Sequence, residues 1–225
     1  AGELVRRFGP MHVPPLVLYT SGTTGKPKGV PPLDPATADL GRVERYYTSV
    51  LSNPDLPAEP RTLLTLPVHH GLGPFVAGAT CQRGGLVVLH DPFDAERALQ
   101  LIEQHRLNAW TAVPTMLLRV KALSADVIDG YDLTSIEMLN LGAAAVPFAL
   151  KEWAVERFGE DVLWEGYGCS EAGMITHTSP ADQLARPGTS GRPFDEVTIR
   201  IEDDIWNELP AGEVGEIAVS TPVAI

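Results

Sequence analysis

Between Arg61 and Gly168 the chain alternates short apolar runs with helical patterns about five times, and this alternation restricts its fold more than any other feature. "RTLLTLPV", "GGLVVLHD", "NAWTAVP", "IEMLNLGA" and "DVLWEGYG" read as strands, with "GGLVVLHD" expected to be buried. Between them stand "HHGLGPFVAGATC", a turn that becomes a small-residue helix, then "DAERALQLIEQHRL", "TMLLRVKAL" and "PFALKEWAVERFG". The second of these is the clearest helix. Asp94 sits at its N-cap, Glu96 in its first turn, and Ala95, Ala98, Leu99 and Ile102 fall on one apolar face. Pro147 opens the last helix and Gly159 closes it. Asp34 followed by Pro35 predicts another helix start, with a helix running to about Ser52. Strands joined through helices run parallel, with right-handed crossovers. The expectation is an α/β fold: a mainly parallel sheet, helices on both faces, and a β-rich C-terminal segment in which "SGRPFDEVTIRIED" and "GEIAVS" form hairpin-like strands.

In such sheets ligands bind beyond the carboxyl ends of the strands, so the loops there are where chemistry is sought. "LYTSGTTGKPKGV", Leu18 to Val30, follows the first short strand and is too rich in Gly, Thr and Pro for a helix or a regular strand. Its glycine-flanked N–H groups can curl into an anion-binding nest, to which Ser21, Thr23 and Thr24 add hydroxyls and Lys28 a charge. It is not a Walker loop. Gly22 and Gly25 stand too close, and Pro27 occupies the position after Lys26 that a magnesium-binding hydroxyl would need.

A net charge of −12 argues against a nucleic-acid partner, which requires basic patches, but leaves room for a small phosphorylated ligand. Cys81 and Cys169 are the only cysteines, without zinc or disulfide spacing, which suits two reduced thiols in a cytoplasmic protein. No apolar run approaches the ~18 residues of a membrane span, and no signal peptide is visible. The chain opens on Ala1 and closes inside the apolar run "GEIAVSTPVAI". The expectation is that residues 1–225 are a partial core domain, with an upstream portion and a small C-terminal catalytic domain absent.

"YTSGTTGKPKGV" resembles the phosphate loop of the adenylate-forming superfamily, of the acyl-CoA synthetase or acid–CoA ligase type. Three further loops fit the resemblance in order. "PVHHGLG" is similar to the stretch whose histidine lies beside the acyl pocket; it implies His70 as a catalytic residue and His69, His70, Gly71 and Leu72 as pocket residues. "GAAAV" resembles the loop that lines adenine, with Gly142, Ala143 and Ala144 on the matching positions and Ala145 where Pro is common. "EGYGCSEAG" is similar to the Tyr-Gly-x-Thr-Glu pattern. It implies that Gly166, Tyr167 and Gly168 flank adenine, that Ser170 serves near the α-phosphate, and that Glu171 binds Mg²⁺, a hard cation suited to carboxylate and phosphate oxygens. Glu165 stands where Gln is common and receives no role. In the first loop, Thr20, Ser21, Gly22, Thr23, Thr24, Gly25 and Lys28 would hold the ATP phosphates, with Thr23 also catalytic.

The resemblance implies a reaction in two halves. A carboxylate attacks the α-phosphorus of ATP to give acyl-adenylate and pyrophosphate, and a thiol, usually of coenzyme A or a carrier arm, then takes the acyl group. No general base is needed, because the acid is ionised at pH 7. No lysine follows Lys151, so the chain alone is expected to be inactive or weakly active. Two alternatives stand: a peptide-synthetase adenylation domain, against which "AWTAVPTM" offers no Asp for a substrate amine, and a truncated, non-catalytic nucleotide-binding module. Val68, Leu72 and Trp110 suggest an apolar pocket, though core packing explains them equally.

Overall fold

The structure, a computed structural model, describes residues 17–20, 26–30, 38–52 and 56–224. Strands β3 (Arg61–Leu64), β4 (Leu86–Leu89), β5 (Ala109–Ala112), β6 (Met138–Gly142) and β7 (Leu163–Cys169) are the expected ones. With β8 (Gly173–Thr178) and β9 (Arg192–Pro193) they form one sheet in the order β4-β3-β5-β6-β7-β8-β9. The first five pair in parallel, and β8 and β9 continue the sheet antiparallel. Helices α2 (Leu72–Gln82), α3 (Ala95–His105), α4 (Pro114–Lys121), α5 (Ala125–Asp129) and α6 (Phe148–Phe158) make the crossovers, and α7 (Pro180–Gln183) follows β8. Two antiparallel hairpins stand apart from this sheet: β1 (Leu18–Thr20) with β2 (Lys28–Val30), and β10 (Thr198–Glu202) with β11 (Glu216–Ser220).

Because side chains alternate along a strand, the two faces of the sheet have separate cores. Leu63, Trp110, Ala112, Leu139, Leu141 and Leu163 pack with α3, α4 and α6. Leu64, the next residue on β3, points the other way and packs with Leu66 and Val76 under α2. The second face is also covered by α1 (Leu40–Leu51), whose Tyr46 and Val50 are buried with Phe194. The strand order reverses between β3 and β5, the kind of switch point where such sheets open a crevice.

Local signals account for several boundaries. The Asp94 side chain accepts from Arg97 N at 2.8 Å, and Arg106 closes α3 in the left-handed region. Proline stands at the start of α4. Two expectations are corrected. The first described helix is capped by Asp39, whose carboxylate accepts from Arg42 N at 3.1 Å; Asp39 is extended, so α1 starts at Leu40, and Asp34–Pro35 lies outside the described residues. Among the described residues strand β4 is an edge strand, paired with β3 alone, and Leu86 and Leu89 are exposed. Among the described residues no helix is long and apolar enough to cross a membrane.

Candidate active site

The parallel strands deliver their following loops to one edge. After β3, Pro67 O accepts from His70 N at 3.1 Å and His70 O accepts from Gly73 N at 3.0 Å, a tight turn that opens α2. The turn leaves the His69 and His70 rings exposed, with centroids 4.7 Å apart. Gly71 precedes α2, and Leu72, its first residue, packs against the Leu64–Leu66–Val76 cluster. Behind this turn Thr65 accepts from Trp110 Nε1 at 3.1 Å and donates to Met116 Sδ at 3.3 Å, tying the end of β3 to β5 and α4. Trp110 is fully buried on the opposite face from Leu72, so it belongs to the core, and Val68 points to solvent, 61% exposed.

At the ends of β6 and β7 backbone approaches backbone. Gly142 pairs with Gly166, and a Cβ on Gly142 would stand 2.6 Å from Gly166 O. Only glycine lets these strand ends close so tightly. The chain then turns through Ala143, which holds φ of 61°, and leaves Ala143 and Ala144 exposed beside the exposed Tyr167 ring. A β-bulge between Tyr167 and Gly168 bends β7 before the hairpin turn. That turn carries Ser170 and Glu171, both exposed. The structure therefore brings Gly142, Ala143, Ala144, Gly166, Tyr167, Gly168, Ser170 and Glu171 together on adjacent strand ends, with His69, His70, Gly71 and Leu72 on the same edge beyond β5.

Thr20 and Lys28 face each other across the β1–β2 register. Ser21, Gly22, Thr23, Thr24 and Gly25, which join them, lie outside the described residues. A strand, not a helix, follows Pro27, in keeping with a loop that is not of the Walker kind.

Three supports escaped the sequence reading. Tyr46 of α1 donates to Met174 O at 2.9 Å and accepts from Met174 N at 2.7 Å, pinning the strand that leaves the Ser170–Glu171 turn. Burial raises its hydroxyl well above the usual tyrosine range, so it stays protonated. Gly173, at φ of 73°, brings the turn over this ring; a Cβ there would stand 2.5 Å from the Tyr46 oxygen. Thr221 Oγ1 holds the same turn by donating to Ala172 O at 2.8 Å. Second, the Glu196 carboxylate bridges Arg42 Nε at 2.8 Å and Arg45 Nε at 2.6 Å, fastening α1 to the segment before β10, and both guanidinium groups hold it below the usual carboxylate range. Third, Glu165 has a partner: it is ion-paired with Lys151 of α6, and both are largely buried. The apolar face of an amphipathic helix, on which Tyr46 falls, is a sequence trace of the first; the other two leave none.

Among the described residues no group of three or more His, Cys, Asp or Glu could cage a metal. The Ser170–Glu171 turn offers one carboxylate and one hydroxyl, a set that fits Mg²⁺ brought with phosphate oxygens rather than a dedicated protein site.

The family model described as AMP-binding enzyme matches residues 10–224. A medium/long-chain-fatty-acid–CoA ligase of Mycobacterium tuberculosis is 36% identical over 91% of this chain and 34% of its own length. The amide bond synthetase of Marinactinospora thermotolerans is similar in structure, with a TM-score of 0.78 at 33% identity, covering 92% of this chain and 40% of that one. The o-succinylbenzoate coenzyme A synthetase of Bacillus subtilis, in complex with ATP and magnesium ion, has a TM-score of 0.71 at 30% identity over 93% of this chain and 41% of that one. The chain thus spans well under half the length of these relatives.

Proposed function

This chain belongs to the AMP-binding enzyme family, and from that premise we propose that the whole protein activates a carboxylic acid with ATP and passes the acyl group to the thiol of coenzyme A. The observation that carries the reading is the juxtaposition at the carboxyl edge: exposed Ser170 and Glu171 on one turn, the bare Gly142–Gly166 pair beside them, and the His69–His70 turn across β5. A carboxylate oxygen bonds to the α-phosphorus, the bond to the bridging oxygen breaks, and pyrophosphate leaves. Charge gathers on the phosphates, so the catalytic task is to hold two anions together and to meet that charge with fixed donors. Thr20 and Lys28, with Ser21 to Gly25 between them, are assigned to the departing pyrophosphate. Ser170 is assigned to the α-phosphate, and Glu171 would hold Mg²⁺, which supplies charge compensation when bound. Gly142, Ala143, Ala144, Gly166, Tyr167 and Gly168 offer backbone and a ring against which adenine can lie flat. His69, His70, Gly71 and Leu72 border the acyl group.

The test is acid-dependent pyrophosphate release by the whole protein, with hydroxylamine trapping the acyl-adenylate. Glu171→Ala is expected to lower kcat/KM by roughly 10²–10³, the usual loss when a group that stabilises developing charge is removed. Pyrophosphate release that does not depend on any acid overturns the reading. Likeness to an amide bond synthetase makes an amine the second acceptor to try: amide in place of thioester, with release still acid-dependent, would keep the first half-reaction and replace the second. The 225-residue chain, which spans well under half the length of its relatives, is expected to turn over little by itself. Turnover equal to that of the whole protein would refute this.

A further inference from the structure

On the second face of the sheet, α1 and α2 meet where Phe75 packs against the Tyr46–Val50 cluster, yet they leave a groove whose floor is not wholly apolar. Its walls include Leu72 and Phe75 of α2, Val50 and Leu51 of α1, and Met174 of β8. On its floor lie Thr111 of β5 and Asn140 of β6, cross-strand partners in the parallel register, and all the other described lining residues are apolar. Asn140 is only 6% exposed, and its Oδ1 has no hydrogen-bond partner. That oxygen lies 3.9 Å from where a Cβ would stand on Gly166, so it leans along the sheet toward the reacting edge.

A buried amide without a partner destabilises a fold, and natural structures tolerate few such groups. Leucine at this position would fill the same space at no such cost and would serve a plain alkyl or aryl acid as well. A group that enters the groove, a water or the polar substituent of a bound acid, can satisfy Asn140. Leu72, which follows His70 and Gly71, lines the same groove, so the groove opens beside the turn assigned to the acid. Asn140 precedes Gly142 by two residues, or about 7 Å of strand at about 3.3 Å per residue, which is a ring's width below the edge.

Resting on the adenylation reading, we propose that the acid's body is ring-sized and carries a distal hydrogen-bonding substituent, a hydroxyl above all, that meets Asn140 and Thr111. A hydroxyl both donates and accepts, so it satisfies the amide in either orientation and can pair with the Thr111 hydroxyl as well. Sites built to pair a buried polar group reject analogues that lack it far more strongly than apolar pockets reject an added methyl.

The experiment uses the whole protein and isosteric pairs of acids: 4-hydroxy and 4-methyl derivatives of benzoic, phenylacetic and 3-phenylpropanoic acid. Acid-dependent pyrophosphate release gives kcat/KM for each, and thermal unfolding reports the fold. In the scaffold used best, the hydroxyl member is expected to be favoured by roughly tenfold or more. Asn140→Leu is expected to erase or invert that ratio while the thermal midpoint stays level or rises. Thr111→Val supplies the same comparison at the neighbouring strand, so the result does not hang on one variant. Preference for the methyl member in every scaffold, or an unchanged ratio in both variants, overturns the inference and leaves adenylation standing. Pyrophosphate release with none of these acids overturns the inference; release with no acid at all overturns the adenylation reading too.

Discussion

The two faces of β5 and β6 are built from alternating residues of the same short strands, yet they differ in kind. One face presents Trp110, Ala112, Leu139 and Leu141 to α3, α4 and α6, and these side chains are almost fully buried. The other presents Thr111, Met138 and Asn140 to a gap between α1 and α2. The first holds the sheet together. The second is less closely packed and has a polar floor, which lowers stability. The edge where these strands end then takes its shape from the first face and its room from the second.

The largest effect expected lies behind the packed face. Lys151→Met would strand the Glu165 carboxylate in a largely buried site and should cost about 3–5 kcal/mol in denaturant unfolding. Adding Glu165→Leu should restore most of it, because two apolar groups need no pairing. A single variant as stable as the parent would show that this face is wetter than described.

A smaller effect is expected on the open face. Tyr46→Phe removes two hydrogen bonds to Met174 and should cost about 1–3 kcal/mol. Because these bonds fix the strand leaving the Ser170–Glu171 turn, pyrophosphate release should fall further than the lost stability explains, with kcat lowered more than KM is raised. Loss of stability with unchanged kcat would make Tyr46 purely structural.

The smallest effect is a pH dependence. His177 lies between Trp164 and Phe194, with ring centroids 6.3 and 4.8 Å away, and burial, then Arg192, lowers its pKa. The folded state thus favours the neutral ring. Its contribution is present above the unfolded value of about 6.5 and is lost as pH falls from there toward the lower folded value. The thermal midpoint should decline between pH 7.5 and about 5, and His177→Phe should flatten that decline. A midpoint indifferent to pH in both proteins would contradict the assignment.

Much of the packed face was legible in the sequence, because periodicity and capping are local. Ala95, Ala98, Leu99 and Ile102 fall on one helical face and are all buried, and Asp94 caps their helix. The four loops were legible by residue type, and three of them meet at one edge, while the core of the first lies outside the described residues. What was not legible is long-range. Alternation along "NAWTAVP" says that Trp110 and Thr111 face opposite ways but not which of them meets helices. Tyr46 finds Met174 across 128 residues, and Lys151 finds Glu165 from a helix to the next strand. Strand β8 escaped notice because "GMITHT" takes its place from two neighbours, β7 across the turn of Ser170 and Glu171 and the two-residue β9. Asp39 caps the helix that Tyr46 and Val50 anchor, while Asp34–Pro35 lies outside the described residues.

The central claim is that this edge of the sheet holds an acyl-adenylate, and calorimetric titration of this chain with a non-hydrolysable acyl-sulfamoyl adenosine in the presence of Mg²⁺ tests it most directly. The account predicts saturable binding to the parent chain, weakened about tenfold or more by Glu171→Ala, in line with the loss of a charged contact worth about 1.5–3 kcal/mol. No binding to the folded parent chain, or equal affinity in the parent and the variant, would contradict it.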